Sequence, residues 1–243
     1  MARFNLAKLY KFARLYFMSR NIVISVDEFY HIYNRGNDRR EIFHDERDYL
    51  RFQTLLYVCN NVATIHISNF QDTLLKKLLS LEREDTLVYI GAYCLMPNHF
   101  HLLVKEKIEG GTSLFMQKLS TAYTMYYNRK YKKTGSLFGG RFKVKNLDSD
   151  QYLKYQYFYI HLNPISIIDA GWKNNKITNI KNAKVFLNSY KYSSYNDYAD
   201  RERLESVILD KDVFPNYFST QTEFSLMISE WLNFENGKVE PCQ

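Results

Sequence analysis

The stretch AYCLMPNHFHLLVKE, residues 92–106, decides the fold, because a turn dipeptide separates two apolar runs. Pro97–Asn98 is typical of a turn, so the stretch predicts a β-hairpin whose second strand begins with the histidines. Side chains of a strand alternate between its two faces, which places His99 and His101 side by side and Phe100 on the opposite face. Two neighbouring imidazoles can share one metal ion, although histidines in a strand also serve as hydrogen-bonded core residues.

A second stretch, YLKYQYFYIHLNPI, residues 152–165, has helical spacing and ends at a proline. Tyr159 and Asn163 lie one turn apart on the same face of this helix. The phenol of Tyr159 is a candidate nucleophile, and the amide oxygen of Asn163 is a candidate third metal ligand. Three other tyrosines compete for the nucleophilic role, namely Tyr152, Tyr155 and Tyr157. His161 is two residues after Tyr159 and therefore faces elsewhere.

The remaining pattern predicts the elements around this hairpin and helix. Alternation over residues 29–34 predicts a first strand, and Gly36 permits a turn after it. Asp45 is a plausible cap of the helix that follows, and residues 70–85 resemble a short amphipathic helix. A long helix is predicted over about residues 113–132. The other predicted elements are a glycine-containing loop that leads into a strand and a helix over about residues 149–162.

Strand, helix, strand, strand, helix and strand is the order of a ferredoxin-like α+β domain. The sequence therefore predicts an antiparallel sheet with helices on one face, followed by a helical C-terminal appendage. The expected division is a basic extension over residues 1–20, a catalytic domain over 21–170 and the appendage over 171–243. The extension is interpreted as poorly ordered, or as preceding a natural start at Met18. The alternative is a basic amphipathic helix that contacts DNA or a membrane surface.

Charge favours a polyanionic partner, since the chain of 243 residues has a formal net charge of +7. No acidic residue occurs from Gln117 to Lys145, where cations alternate with aromatic rings. Cations that contact phosphates beside rings that stack on bases suit single-stranded nucleic acid, whereas the alternative is an ordinary solvated face. The candidate DNA-binding residues of this segment are Lys118, Tyr127, Arg129, Lys130, Arg141, Lys143 and Lys145.

Several classes of protein are disfavoured by what the sequence lacks. The three cysteines have no close spacing, so neither a disulfide framework nor a thiolate zinc site is predicted, and a reducing cytoplasm fits. No run of about 18 apolar residues is present, so no membrane span is expected. The glycine patterns of nucleotide-binding loops are absent, so no nucleotide cofactor is expected.

The chain resembles the single-tyrosine HUH transposases, and among them the group associated with repetitive extragenic palindromes in bacterial genomes. The resemblance extends over roughly residues 28–198 and preserves the family's order of motifs. The matching stretches are YHIYNRGNDRREIF (30–43), AYCLMPNHFHLLV (92–104), AYTMYYNRKYKKTGSLFGGRFK (122–143), YFYIHLNPI (157–165) and YKYSSYNDY (190–198).

This resemblance implies a DNA nickase and strand transferase that acts on folded single strands, with a 5′-phosphotyrosine intermediate. Tyr159 occupies the place of the family's nucleophile, and His99, His101 and Asn163 would hold Mg²⁺ or Mn²⁺, the metals that suit nitrogen and oxygen donors. The loop that contains Arg35, Arg39 and Arg40 is expected to contact DNA. Apart from the resemblance, His31 is expected on a strand that neighbours the histidine pair, where a core or ligand-supporting role is favoured over a ligand role. A monomer is favoured over a homodimer.

Three alternatives remain open at this point. The first is a domesticated protein that binds hairpin DNA without cleaving it. The second is a metal-dependent nuclease that uses water, for which more carboxylate ligands would be expected. The third is a replication initiator or relaxase, which shares the histidine pair but fits the order of motifs less well.

Overall fold

The computed structural model describes residues 22–63, 75–83, 85–174, 177–199, 201–217 and 220–233. The predicted extension over residues 1–20 lies outside these residues, as do residues 70–74 and 84 of the predicted helix over residues 70–85. In the described part of that range, only Leu75–Leu78 is helical. The strands are β1 (Phe29–Arg35), β2 (Val88–Met96), β3 (His99–Glu106) and β4 (Lys143–Asn146). The α-helices are α1 (Glu46–Val58), α2 (Leu75–Leu78), α3 (Gly111–Tyr131), α4 (Asp150–Leu162), α5 (Ile180–Ser189), α6 (Tyr195–Tyr198) and α7 (Gln221–Asn233). Short 3₁₀ segments cover Asn37–Arg39, Asn163–Ile167, Ala170–Asn174, Leu204–Ile208 and Lys211–Val213.

The four strands form one antiparallel sheet in the order β2-β3-β1-β4. With α1 between β1 and β2 and α3 between β3 and β4, this is the ferredoxin-like arrangement, and the predicted fold class is confirmed. The predicted hairpin joins β2 to β3 through Pro97–Asn98. Within the described residues, no helix is long and apolar enough to cross a bilayer.

Two side chains fix the starts of the helices that flank the sheet. Asp45 accepts a hydrogen bond from the backbone amide of Asp48, which confirms the predicted cap of α1. Ser149 caps α4 in the same way, through the amide of Tyr152. Ser149 therefore sets where the helix of the candidate nucleophile begins.

Helices cover both faces of the sheet. Phe100 and Leu102 of β3 share a hydrophobic cluster with residues of α1 and α3, such as Phe52 and Phe115. On the opposite face, Leu103 shares a second cluster with α4 and with the C-terminal elements. The prediction of helices on one face therefore holds for α1 and α3, and α4 adds a layer on the other face.

The C-terminal elements contribute to that second layer. Trp231 stacks on Phe158 of α4 with ring centroids 4.9 Å apart, and Phe214 packs against Phe29 of β1 at 5.4 Å. Backbone hydrogen bonds from Leu95 and Ser194 join β2 to the segment that precedes α6. In the described residues, the predicted appendage thus packs directly against the four-stranded sheet and against α4.

Candidate active site

His99 and His101 lie on one face of β3, as the strand alternation predicted, and His101 contacts α4. Their ring centroids lie 4.9 Å apart with perpendicular planes. His101 is buried and His99 is half-buried. Phe100, between them in sequence, is fully buried in the cluster on the other face. The hairpin therefore brings both imidazoles to one end of the sheet, on the face that α4 covers.

Helix α4 places Tyr159 and Asn163 beside His101. The ring centroids of Tyr159 and His101 lie 5.4 Å apart, and Nδ2 of Asn163 lies 3.3 Å from Nε2 of His101. The backbone amide of Asn163 donates to the carbonyl oxygen of Tyr159. One helical turn therefore holds both side chains over the histidine pair.

Tyr159 differs from the other tyrosines of α4 in its surroundings. Tyr152, Tyr155 and Tyr157 are buried, with 6%, 7% and 2% of their surface exposed, whereas Tyr159 is half-buried. Burial also raises the pKa of Tyr157 well above its ordinary value. Among these four tyrosines, Tyr159 has the position that best suits reaction with a substrate.

The donor set around His101 fits a divalent cation. Oδ1 of Asn163 is buried and has no hydrogen-bond partner among the described residues, which is costly for a polar oxygen unless a ligand meets it. Oδ1 of Asn98 lies 2.6 Å from Nδ1 of His99 and, because it can only accept, leaves the lone pair of that ring on Nε2. The described residues contain no group of three His, Cys, Asp or Glu side chains placed to hold a metal. The candidate set is therefore two imidazoles and one amide oxygen.

His31 and Tyr33 of β1 complete the wall of the site, and sequence reasoning gave neither a catalytic role. Nε2 of His31 lies 2.8 Å from Nδ1 of His101, and the Tyr33 ring stacks on His31 at 5.0 Å. Burial is the main cause that lowers the pKa of His31 well below its ordinary value, and the charges of Lys145 and His99 lower it further. Alternation along residues 29–34 could have indicated this placement, because it puts His31 and Tyr33 on one face of β1.

Trp172 packs against Tyr159. Its ring centroid lies 5.9 Å from that of Tyr159, and its side chain is 5% exposed. No pattern in the sequence pointed to this contact. His161, in contrast, faces away from the site: its Nε2 lies 2.8 Å from the hydroxyl of Ser194, and burial lowers its pKa to about 3. The predicted orientation of His161 is therefore what the structure has.

Exposed cations converge beside this site from two parts of the chain. The loop over residues 35–40 lies between the hairpin turn and residues 137–140, since Gly36 donates to the carbonyl of Asn98 and Asn37 donates to the carbonyl of Leu137. Arg35 and Arg39 on one side and Arg141 and Lys143 on the other are exposed, and Arg40 is half-buried with Nε donating to the carbonyl of Asn37.

Gly36 differs from its expected role in this loop. Its φ is −59°, so it does not use the left-handed region. A Cβ at Gly36 would instead lie 2.2 Å from the carbonyl oxygen of Arg40, so the loop needs glycine for a close approach. Asp38 and Arg39 carry the left-handed conformation, with φ of 53° and 59°. The turn that presents Arg39 is therefore built from two non-glycine residues.

Register places two lysines of β4 on the same face as the histidines. Lys143 pairs with Tyr33 and Lys145 pairs with His31, so both lie on the sheet face that carries the site. Lys143 is exposed and Lys145 is half-buried. Of the cations predicted to bind DNA, these two thus border the candidate catalytic pocket at the edge strand.

Three other residues of the predicted DNA-binding segment have structural partners instead. Tyr127 is 4% exposed, and its hydroxyl lies 2.9 Å from Nε2 of His44. Lys130 forms ion pairs with Asp45 and with the buried Asp48. Lys118 donates to the backbone carbonyl of Asn61 at 2.5 Å. These placements do not support base stacking by Tyr127 or phosphate contacts by Lys118 and Lys130, whereas Arg129 is exposed on α3.

A family model described as IS200-like transposase matches residues 26–163. Among curated sequences there is no significant match. Among solved structures, the REP-associated tyrosine transposase bound to a REP hairpin is similar, with 12% identity, a TM-score of 0.46 and coverage of 77% of this chain and 89% of the other.

Proposed function

Since the chain belongs to the IS200-like transposase family, we propose that it nicks and rejoins single-stranded DNA through a covalent bond to Tyr159. The observation that carries this proposal is the packing of Tyr159 against His101, from a helix turn that also presents Asn163. A nucleophile and the groups that neutralise phosphate charge must meet at one phosphorus atom, and these residues meet at one end of the sheet.

The reaction would exchange one phosphodiester for another. Oη of Tyr159 attacks the phosphorus, loses its proton, and forms a phosphotyrosine with the 5′ end that the cut creates. The bond from phosphorus to the 3′ oxygen breaks, and that oxygen takes up a proton to become a 3′-hydroxyl. Because the new ester retains the bond energy, a 3′-hydroxyl can reverse the step without a nucleotide cofactor.

Ionisation of the phenol limits this chemistry. An ordinary tyrosine has a pKa of about 10, so tyrosinate at neutral pH is about one part in a thousand, which corresponds to about 4 kcal/mol. We propose that His99, His101 and the amide oxygen of Asn163 hold Mg²⁺ or Mn²⁺ here. When bound, such a cation supplies positive charge to the phosphate oxygens and orients the phosphate. Trp172 and Tyr155 pack around Tyr159 and keep its ring in one orientation.

The proposed substrate is single-stranded DNA with a hairpin. The exposed Arg35, Arg39, Arg141 and Lys143 lie at the loops and edge strand that border the histidine pair, where they can contact phosphates on either side of the cut. Tyr33 is half-buried on the same face and next to Lys143 in the register, which suits contact with a base beside the scissile phosphate. We propose that one copy of the chain binds one hairpin.

The test is formation of a covalent adduct. Full-length protein is incubated with Mn²⁺ and labelled hairpin oligonucleotides taken from the DNA that flanks the gene, and the products are separated under denaturing conditions. The parent protein is expected to give a denaturation-resistant adduct with the fragment whose 5′ end the cut creates. Tyr159→Phe is expected to abolish the adduct with DNA affinity within about twofold of the parent, since it removes one hydroxyl.

Tyr155→Phe is the matched control, because Tyr155 lies one turn away on α4 and its ring stacks on that of Tyr159 at 6.2 Å. This variant is expected to keep the adduct. An adduct that persists in Tyr159→Phe would assign the nucleophile to another residue. If Tyr159→Phe still cleaves the DNA and no adduct is formed, a nuclease that uses water is favoured instead. If the parent protein binds the hairpins without cleaving them, a protein that only recognises hairpins is favoured.

A further inference from the structure

His31 has the geometry of a residue that acts through a neighbouring histidine. It lies on β1, one position diagonal to His101 in the β1–β3 register, because His101 pairs with Tyr33 and His31 pairs with Leu103. Diagonal neighbours on one face of a sheet are within reach of long side chains. Here Nε2 of His31 lies 2.8 Å from Nδ1 of His101, so the two rings share a single proton.

The surroundings of both rings favour one position for that proton. Nδ2 of Asn163 faces Nε2 of His101 at 3.3 Å, and an amide NH₂ can only donate, so Nε2 of His101 presents its lone pair. A neutral imidazole with a lone pair on Nε2 has its proton on Nδ1, and that proton points to Nε2 of His31. His31 is then the acceptor and has its own proton on Nδ1.

This arrangement leaves Nδ1 of His31 buried and without a hydrogen-bond partner among the described residues. A buried donor without a partner is destabilising, but Nδ1 of His161, which lies away from the site, is in the same situation. His31 is distinguished by its partner: its Nε2 meets a candidate ligand, and Tyr33 stacks on its ring at 5.0 Å with planes 23° apart. The contact with His101 therefore carries the argument for a role beyond packing.

We propose that His31 is a positioning residue, whose Nε2 accepts the Nδ1 proton of His101 and so keeps the Nε2 lone pair of His101 directed toward Asn163. Metal-binding histidines generally donate their other ring nitrogen to a fixed acceptor, which sets the tautomer and the ring orientation. The inference rests on the proposed function, because it assigns to His101 the role of a cation ligand. The residue that positions His101 then lies on β1, 70 residues away in the sequence.

Metal affinity measured without DNA tests the role of His31. Full-length parent protein and variants are titrated with Mn²⁺, and free Mn²⁺ is followed by electron paramagnetic resonance. His31→Phe keeps an aromatic ring on Tyr33 but removes the acceptor, and is expected to weaken Mn²⁺ binding about 10- to 100-fold. His31→Gln restores a carbonyl acceptor and is expected to recover part of that loss.

His161→Phe is the matched control for burial. His161 is as buried as His31 and also has a hydrogen-bonded ring, but its partner is Ser194 on the side away from the site. The His161→Phe variant is expected to be less stable in urea unfolding, whereas its Mn²⁺ affinity is expected to stay within about twofold of the parent. If His31→Phe also stays within twofold, the positioning role is overturned even though the parent binds metal and forms the adduct.

The tautomer of His101 can be read in the parent protein, so the test does not depend on a variant that folds. Nitrogen-15 NMR of the imidazoles, assigned with His101→Gln, is expected to show the proton of His101 on Nδ1. A proton on Nε2 of His101 would overturn the inference. A parent protein that forms no adduct would contradict the proposed function, whatever tautomer His101 has.

Discussion

Oδ1 of Asn98 lies 2.6 Å from Nδ1 of His99. The other end of the same amide donates to the carbonyl oxygen of Arg39 at 3.2 Å. One side chain in the hairpin turn therefore joins a candidate metal ligand to the arginine-containing loop. The DNA contacts proposed for that loop would therefore be coupled through Asn98 to the orientation of the His99 ring.

Removal of this amide should loosen the His99 ring. Asn98→Ala is expected to weaken Mn²⁺ binding about 10-fold or more, since loss of a ligand's orienting partner has that effect. Asn98→Asp keeps an acceptor for Nδ1 and should retain more of the affinity, although it loses the bond to Arg39. Mn²⁺ titration of the three proteins decides, and equal affinities for Asn98→Ala and the parent would show that His99 does not need this partner.

The lysines of β4 should contribute to DNA affinity in a salt-dependent way. Lys143→Ala is expected to reduce the slope of log affinity against log salt by about 0.7, the contribution of one phosphate contact on a single strand. The loss should be similar for hairpins of different sequence, because phosphate contacts carry no base information. Affinity is measured by fluorescence anisotropy from about 50 to 200 mM salt.

Lys130→Ala is the matched control for the removal of a lysine. Lys130 is paired with Asp45 and Asp48, so its loss should leave the salt slope unchanged and cost about 1 to 3 kcal/mol of unfolding free energy. If Lys143→Ala has the same salt slope as the parent, Lys143 does not contact a phosphate. If Lys130→Ala has a shallower slope than the parent, Lys130 does contact one.

Acid should destabilise the protein partly through Asp48. Burial by itself raises the pKa of this carboxyl, but hydrogen bonds from Lys130, Tyr131, Tyr126 and the amide of His44 outweigh it and lower the pKa below the ordinary value. A group with a lowered folded-state pKa stabilises the fold above its unfolded pKa and loses that contribution as pH falls through its folded pKa.

Asp48→Asn should therefore be less stable than the parent at pH 7, and the difference should shrink as the pH falls below about 4. Urea unfolding at a series of pH values measures both proteins. Asp212→Asn, at an exposed carboxylate, serves as the control and should differ little from the parent at any pH. A difference between Asp48→Asn and the parent that stays constant with pH would contradict the role of the charged form.

The packing of the C-terminal elements on β2 can be tested at Gly91. A Cβ at this position would lie 2.6 Å from the ring of the buried Phe214. Gly91→Ala should cost about 1 to 3 kcal/mol through overpacking. Phe214→Leu provides space, so the two changes together should cost less than the sum of the single changes. Strict additivity in a double-mutant cycle would mean that the two residues are not in contact.

Local patterns in the sequence were sufficient for the elements that carry the site. The turn at Pro97–Asn98, the cap at Asp45 and the stop at Pro164 each depend on residues close in sequence, and each lies where the pattern predicted it. The face shared by His99 and His101 also follows from strand alternation alone. These features require no knowledge of the rest of the molecule.

The charged and aromatic residues of α3 could not be assigned in the same way. Which side of that helix is buried depends on α1, whose Asp48 lies 82 residues from Lys130 in the sequence. A sequence pattern of cations interleaved with aromatic rings is compatible both with a solvated groove and with a packed helix that has buried ion pairs. The contact of Trp172 with Tyr159 likewise depends on the path of the chain after Pro164, which no pattern specified.

Helix α4 packs on strands β2 and β3 of its own chain, so the phenol and all three proposed ligands belong to a single polypeptide. The proposed complex of one copy with one hairpin would therefore have all the proposed site residues. Adduct formation should therefore be first order in protein over a wide range of dilution. A mixture of His99→Ala and Tyr159→Phe proteins should stay inactive, since neither copy can lend the other its missing side chain.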